Sequence, residues 1–96
     1  MTAPGEVALR VRIQGRVQGV YYRGWTVEEA QARGLRGWVR NRTDGAVEAV
    51  FIGPDAAVRD MIRACRQGPA LAAVVRIEEY PMEDDGSVGF RQVPTA

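Results

Sequence analysis

The chain has 96 residues, of which 46% are hydrophobic and 26% charged, with a formal net charge of +1. These values fit one small globular domain, expected to span residues 1–96. It has no His, one Cys, and Arg at all 13 basic positions, which excludes His-based triads, Cys/His metal clusters, Schiff-base lysines and intramolecular disulfides.

No apolar run approaches the roughly 18 residues of a membrane span. The stretch Met1 to Glu6 lacks the basic-then-apolar order of a signal peptide. A lone cysteine suits a reducing compartment, so the expected location is cytoplasmic. A near-neutral charge gives no case for a nucleic-acid or membrane partner.

Val7, Leu9, Val11 and Ile13 alternate with Ala8, Arg10, Arg12 and Gln14, the period of a half-buried strand. A loop from Gly15 to Gly19 follows, and then a helix over about Tyr22 to Arg33. Thr26 and Glu29 have the spacing of a capping box, and Gly34 stands where a left-handed residue ends a helix. Trp38 to Asn41 predicts a second strand. Thr43-Asp44-Gly45 reads as a turn and Val47 to Ile52 as a third strand, making a hairpin. Gly53-Pro54 opens a second helix. Its apolar stripe is Val58, Met61, Ile62 and Cys65, and Gly68-Pro69 ends it. Val74 to Tyr80 predicts a fourth strand, Asp84 to Ser87 a solvated turn, and Val88 to Val93 a short final strand.

The order β-α-β-β-α-β plus a short final strand predicts an α+β fold, the ferredoxin-like split β-α-β sandwich. Two helices would pack on one face of a mostly antiparallel sheet. Many functions share this plan, so the site must be argued separately.

The segment Gly15-Arg16-Val17-Gln18-Gly19-Val20-Tyr21-Tyr22-Arg23 leads from a strand into a helix N-terminus. Unpaired N–H groups and the helix dipole favour an anion there. Glycines let backbone approach a ligand closely. Arg23 adds a planar, permanently charged fork suited to phosphate or carboxylate.

The run Ile13-Gln14-Gly15-Arg16-Val17-Gln18-Gly19-Val20-Tyr21-Tyr22-Arg23 resembles the first signature of the acylphosphatase family. Gly37-Trp38-Val39-Arg40-Asn41, followed by Gly45, Val47 and Gly53, resembles the second. The likeness runs from about Val7 to Phe90. It departs at Tyr22, where relatives usually carry Phe, and at Arg33, often apolar in relatives.

The resemblance implies hydrolysis of acyl phosphates, the mixed anhydrides of a carboxylic acid and phosphate. By that likeness Arg23 binds the phosphoryl oxygens together with loop amides of Gln18, Gly19, Val20, Tyr21 and Tyr22. Asn41 would hold the attacking water. Inorganic phosphate or sulfate would compete. No metal, cofactor or covalent enzyme intermediate is implied, and a monomer is expected. Strand parity places Asn41 on one face with Val39, while Trp38, Arg40 and Arg42 take the other.

Other chemistry-bearing residues read as structural. Cys65 lies on the apolar stripe of its helix. Glu28 and Glu29 suit the helix dipole rather than forming a catalytic pair. Trp38 reads as part of a hydrophobic layer, Trp25 as a possible flank of the pocket, and the arginines other than Arg23 as surface. An alternative is a non-catalytic anion- or ligand-binding module on the same scaffold. Similar domains also occur inside larger carbamoyl-phosphate-handling maturation proteins, although a chain of this length fits a free-standing enzyme. An RNA-binding reading would need stacking aromatics on the central strands, where only Phe51 stands.

Overall fold

The computed structural model describes residues 3–96 of the chain. The elements follow as β1 (Glu6–Arg16), α1 (Tyr22–Ala32), β2 (Arg36–Asn41), β3 (Val47–Pro54), α2 (Asp55–Gln67), β4 (Ala73–Pro81) and β5 (Phe90–Gln92). The final strand is shorter than the alternation predicts. One five-stranded sheet has the order β4-β1-β3-β2-β5. Its neighbours are antiparallel except β2 and β5, which run parallel. Both helices pack on one face, giving the ferredoxin-like α+β sandwich.

The alternation in β1 is realised as a buried row. Val11 and Ile13 have no exposed surface, and they meet Val39, Val47, Ala49 and Phe51 beneath the helices. The α2 stripe of Val58, Met61, Ile62 and Cys65 closes this layer. Burying side chains of this size contributes about 1.5–3 kcal/mol each. Helix α1 ends as its sequence predicts. Gly34 adopts φ +67 and donates to Gln31, while the Leu35 N–H donates to Ala30. That pair of bonds satisfies two of the carbonyls that a helix end leaves open.

Three local expectations fail. Thr26 is not a cap residue: it is fully buried in α1 and its hydroxyl donates to the Tyr22 carbonyl at 2.8 Å, the usual outlet for a helical threonine in an apolar setting. Glu29 instead pairs with Arg33 at 2.9 Å. Asp84 is not solvated as the turn reading expects, whereas Asp85 is exposed. The Asp84 side chain is 6% exposed and meets Arg36 at 2.5 Å, while Asp85 accepts the Trp38 indole N–H at 3.1 Å. The segment after β4 crosses the sheet face opposite the helices. There Ala8, Val50 and Ile52 form a second buried cluster with Trp38 and Met82.

The arginines are also not merely surface. Glu48 is 6% exposed and receives Arg40 at 2.7 Å, Arg10 at 3.3 Å and Arg42 at 3.4 Å. A carboxylate this buried is tolerated because several guanidinium groups compensate its lost hydration.

Candidate active site

The loop after β1 is shaped by two left-handed residues. Gly19 has φ +73 and Tyr21 has φ 67, while Gln18 and Val20 stay outside that region. Left-handed residues that alternate with right-handed ones turn successive N–H groups toward one concavity, a backbone nest that suits an anion. Among the described residues, the amides of Gln18, Gly19, Val20 and Tyr21 donate to no protein acceptor. Helix α1 begins immediately afterwards. Its first turn has no side-chain cap and no acidic residue, so its N-terminal amides and the positive dipole end face the same place.

The start of the loop is held by close approach. Gly15 lies at a register shift between β1 and β4, with φ +130, and a Cβ there would meet the Ala73 carbonyl at 2.2 Å. Any side chain would push the two strands apart and move the loop with them.

Val17, Gly19, Tyr21, Tyr22, Arg23, Gly24, Asn41 and Gln92 line a cleft of about 140 Å³. Liquid water takes about 30 Å³ per molecule, so the cleft has room for a small anion with a water beside it. Among the described residues, Arg23 pairs with no carboxylate, a condition shared only with Arg16 and Arg91. Its fork is therefore not neutralised by any carboxylate among the described residues.

Asn41 reaches the cleft from the end of β2, on the Val39 side that strand parity predicts. Its Oδ1 is buried and has no hydrogen-bond partner. A buried carbonyl oxygen left alone costs about 1–3 kcal/mol, which marks this atom as an acceptor for something that enters the cleft. The Asn41 backbone is held from both sides. β3 pairs with it at Val47, and on the other side Ala96 donates to the Asn41 carbonyl at 3.2 Å and accepts from Thr43 at 3.1 Å.

The cleft thus brings together Arg23, Asn41, Gly19, Tyr21 and Tyr22. It does not bring in the side chains of Gln18 and Val20. Val20 is buried in the core. The Gln18 amide spans to the β2–β3 turn, donating to the carbonyls of Arg42 at 2.8 Å and Ala46 at 2.9 Å. Neither residue lines the cleft, and Gln18 instead ties the loop to the hairpin that carries Asn41. Trp25 does not flank the cleft. It packs on Tyr22 with ring centroids 5.4 Å apart. Val17, Gly24 and Gln92 are lining residues that sequence reasoning misses. Gln92 carries no local signal, because only the parallel pairing of β5 with β2 brings it near Asn41.

The model of the acylphosphatase family matches residues 9–92. The chain belongs to the acylphosphatase family. An acylphosphatase of Rhodospirillum rubrum is 56% identical over 87 residues, covering 91% of this chain and 96% of that protein. The crystal structure of acylphosphatase from Bacillus subtilis is similar at 35% identity and a TM-score of 0.88, covering 91% of this chain and 98% of that one. The acylphosphatase structure from Coxiella burnetii is 29% identical with a TM-score of 0.89, covering 93% and 94%. This acylphosphatase is accordingly a hydrolase whose substrate is a small-molecule acyl phosphate.

Two further features of the acylphosphatase frame the site. The Tyr22 hydroxyl donates to the Cys65 carbonyl of α2 at 2.6 Å. Burial and that neighbour push the phenol far above its ordinary range, so it stays protonated as a donor. Burial likewise pushes the Cys65 thiol up to about 12, which removes it from nucleophilic chemistry. Among the described residues, no helix is long and apolar enough to cross a membrane.

Proposed function

We propose that the cleft between the Gln18–Arg23 loop and Asn41 is the active site of this acylphosphatase. Arg23 and the amides of Gln18, Gly19, Val20, Tyr21 and Tyr22 hold the phosphoryl oxygens. Asn41 accepts a hydrogen bond from water at Oδ1 and so aims the water oxygen at phosphorus. The observation that carries this reading is the buried, unpartnered Asn41 Oδ1 in the same cleft as the uncompensated Arg23.

The chemistry asks for little more. In phosphoryl transfer the protein contributes mainly positioning and charge stabilisation. Water oxygen bonds to phosphorus while the bond from phosphorus to the acyl oxygen breaks, and its electron pair leaves on the carboxylate. A carboxylate of pKa about 4–4.5 departs without a general acid. The proton of the attacking water passes to a phosphate oxygen, so no protein base is needed. This suits a chain without His. Fixed donors aimed at developing charge are worth about 3–4 kcal/mol each.

The reading takes the active unit as a monomer in the cytoplasm, without metal or cofactor. It has the product phosphate, or sulfate, as a competing anion. Benzoyl phosphate hydrolysis in the presence of EDTA tests it. The intact protein should turn over rapidly, and Arg23→Ala should lose at least about 100-fold in kcat/KM. An Arg23→Ala protein with near-parent activity would remove the cleft as the site.

A further inference from the structure

We infer that the Tyr21 ring is the wall of the active site that receives the acyl group, and that it favours acyl phosphates with flat, apolar acyl groups. The inference rests on the cleft being the active site and adds the part of the substrate that the phosphate contacts do not read.

The phosphoryl end is accounted for by backbone amides and Arg23. The acyl group must then extend out through the cleft opening, against whatever stands there. Tyr21 lines the cleft and is 64% exposed. Exposure alone would decide nothing, since single exposed apolar residues are common on proteins and Val75, Leu71 and Val88 are more exposed here. What separates Tyr21 from them is that its ring is fixed in place.

One backbone constraint and two side-chain contacts fix it. Its backbone holds φ 67, a left-handed conformation that costs a side-chain-bearing residue about 1–2 kcal/mol. The ring lies against Gly24: a Cβ at that position would stand 2.3 Å from the ring Cε1 and 2.5 Å from Cζ. The phenol hydroxyl donates to Glu28 one helical turn further along α1. Ring and backbone are thus ordered before substrate arrives. A rigid aromatic surface provides contact area with little conformational entropy left to lose, which is how such side chains serve recognition. A methyl group, as in acetyl phosphate, offers this surface little. A phenyl ring can stack on it or meet its edge.

The test compares kcat/KM for benzoyl phosphate with kcat/KM for acetyl phosphate, taken as a ratio in each protein. Tyr21→Ala should lower that ratio about five-fold, the size of one aromatic contact. Tyr21→Phe keeps the ring on Gly24 and should hold the ratio within about two-fold of the parent. An unchanged ratio in Tyr21→Ala overturns the inference, as does a Tyr21→Phe ratio as low as that of Tyr21→Ala. Arg23→Ala assayed alongside keeps the two claims apart. If it hydrolyses both substrates like the parent, the cleft itself is misassigned. If it is inactive while the Tyr21 ratio does not move, only the acyl wall is wrong.

Discussion

Tyr22 shows how much one atom can add. Its ring is 1% exposed and fills the core beneath α1. A phenylalanine would fill the same space. The added hydroxyl reaches the Cys65 carbonyl in the last turn of α2, among the carbonyls a helix leaves without a partner. It therefore joins the start of one helix to the end of the other. Tyr22→Phe should lower stability by about 1 kcal/mol, the net value of a hydrogen bond made in the interior. Denaturant unfolding checks this, and activity should change little because the Tyr22 N–H is retained. At this scale Arg23 and Asn41 were legible, since short motifs carry both and strand parity orients the second. The side chain of Gln18 was not. Its two carbonyl partners belong to a turn formed far along the chain, and nothing next to Gln18 announces them.

At the scale of elements, helix α1 is built to leave its N-terminus open. No side chain caps it, whereas its C-terminus is closed by Gly34 and Leu35. The periodicity of α2 and the alternation of β1 made those elements readable. The segment between β4 and β5 was not readable, because its residues look like an ordinary polar turn. Its role depends on Arg36 and Trp38 of β2, which wait across the sheet. The pairing leaves a pH signature. The Arg36 guanidinium, aided by the Gly86 N–H, lowers the Asp84 carboxyl from 3.8 to about 2. A carboxyl whose folded pKa lies below its unfolded one contributes stability above the unfolded value, and that contribution is lost as pH falls through the folded one. The stability difference between the parent and Asp84→Asn should therefore be full at pH 5 to 7. It should shrink between about pH 3.8 and 2. Urea midpoints across that range check it. A difference that ignores acid would mean Asp84 is not held by its charge.

On the proposed assignment, the whole molecule divides the reaction between distant parts of the chain. The anion nest and Arg23 belong to the β1–α1 junction, and Asn41 to the end of β2. The sheet order sets those two beside each other and adds Gln92 from β5. The fold class followed from element order, but the cleft's far wall did not, since only the assembled sheet creates it. The arginine-rich composition acquires a pattern as well. Among the described residues, most guanidinium groups pair with carboxylates such as Glu48, Asp84 and Asp60, while Arg16, Arg23 and Arg91 do not. Because the proposed phosphate and water sites lie on separate elements, their contributions should be separable by mutation. The measurement that tests this most directly is steady-state hydrolysis of benzoyl phosphate by Asn41→Ala, together with inhibition by inorganic phosphate. Misplacing a reacting group by about 1 Å can cost about 100-fold, so kcat should fall at least that far. The inhibition constant for phosphate should stay within about two-fold of the parent, because Arg23 and the loop amides are untouched. A variant that keeps most of its kcat would contradict the account, as would one that loses phosphate binding in step with catalysis.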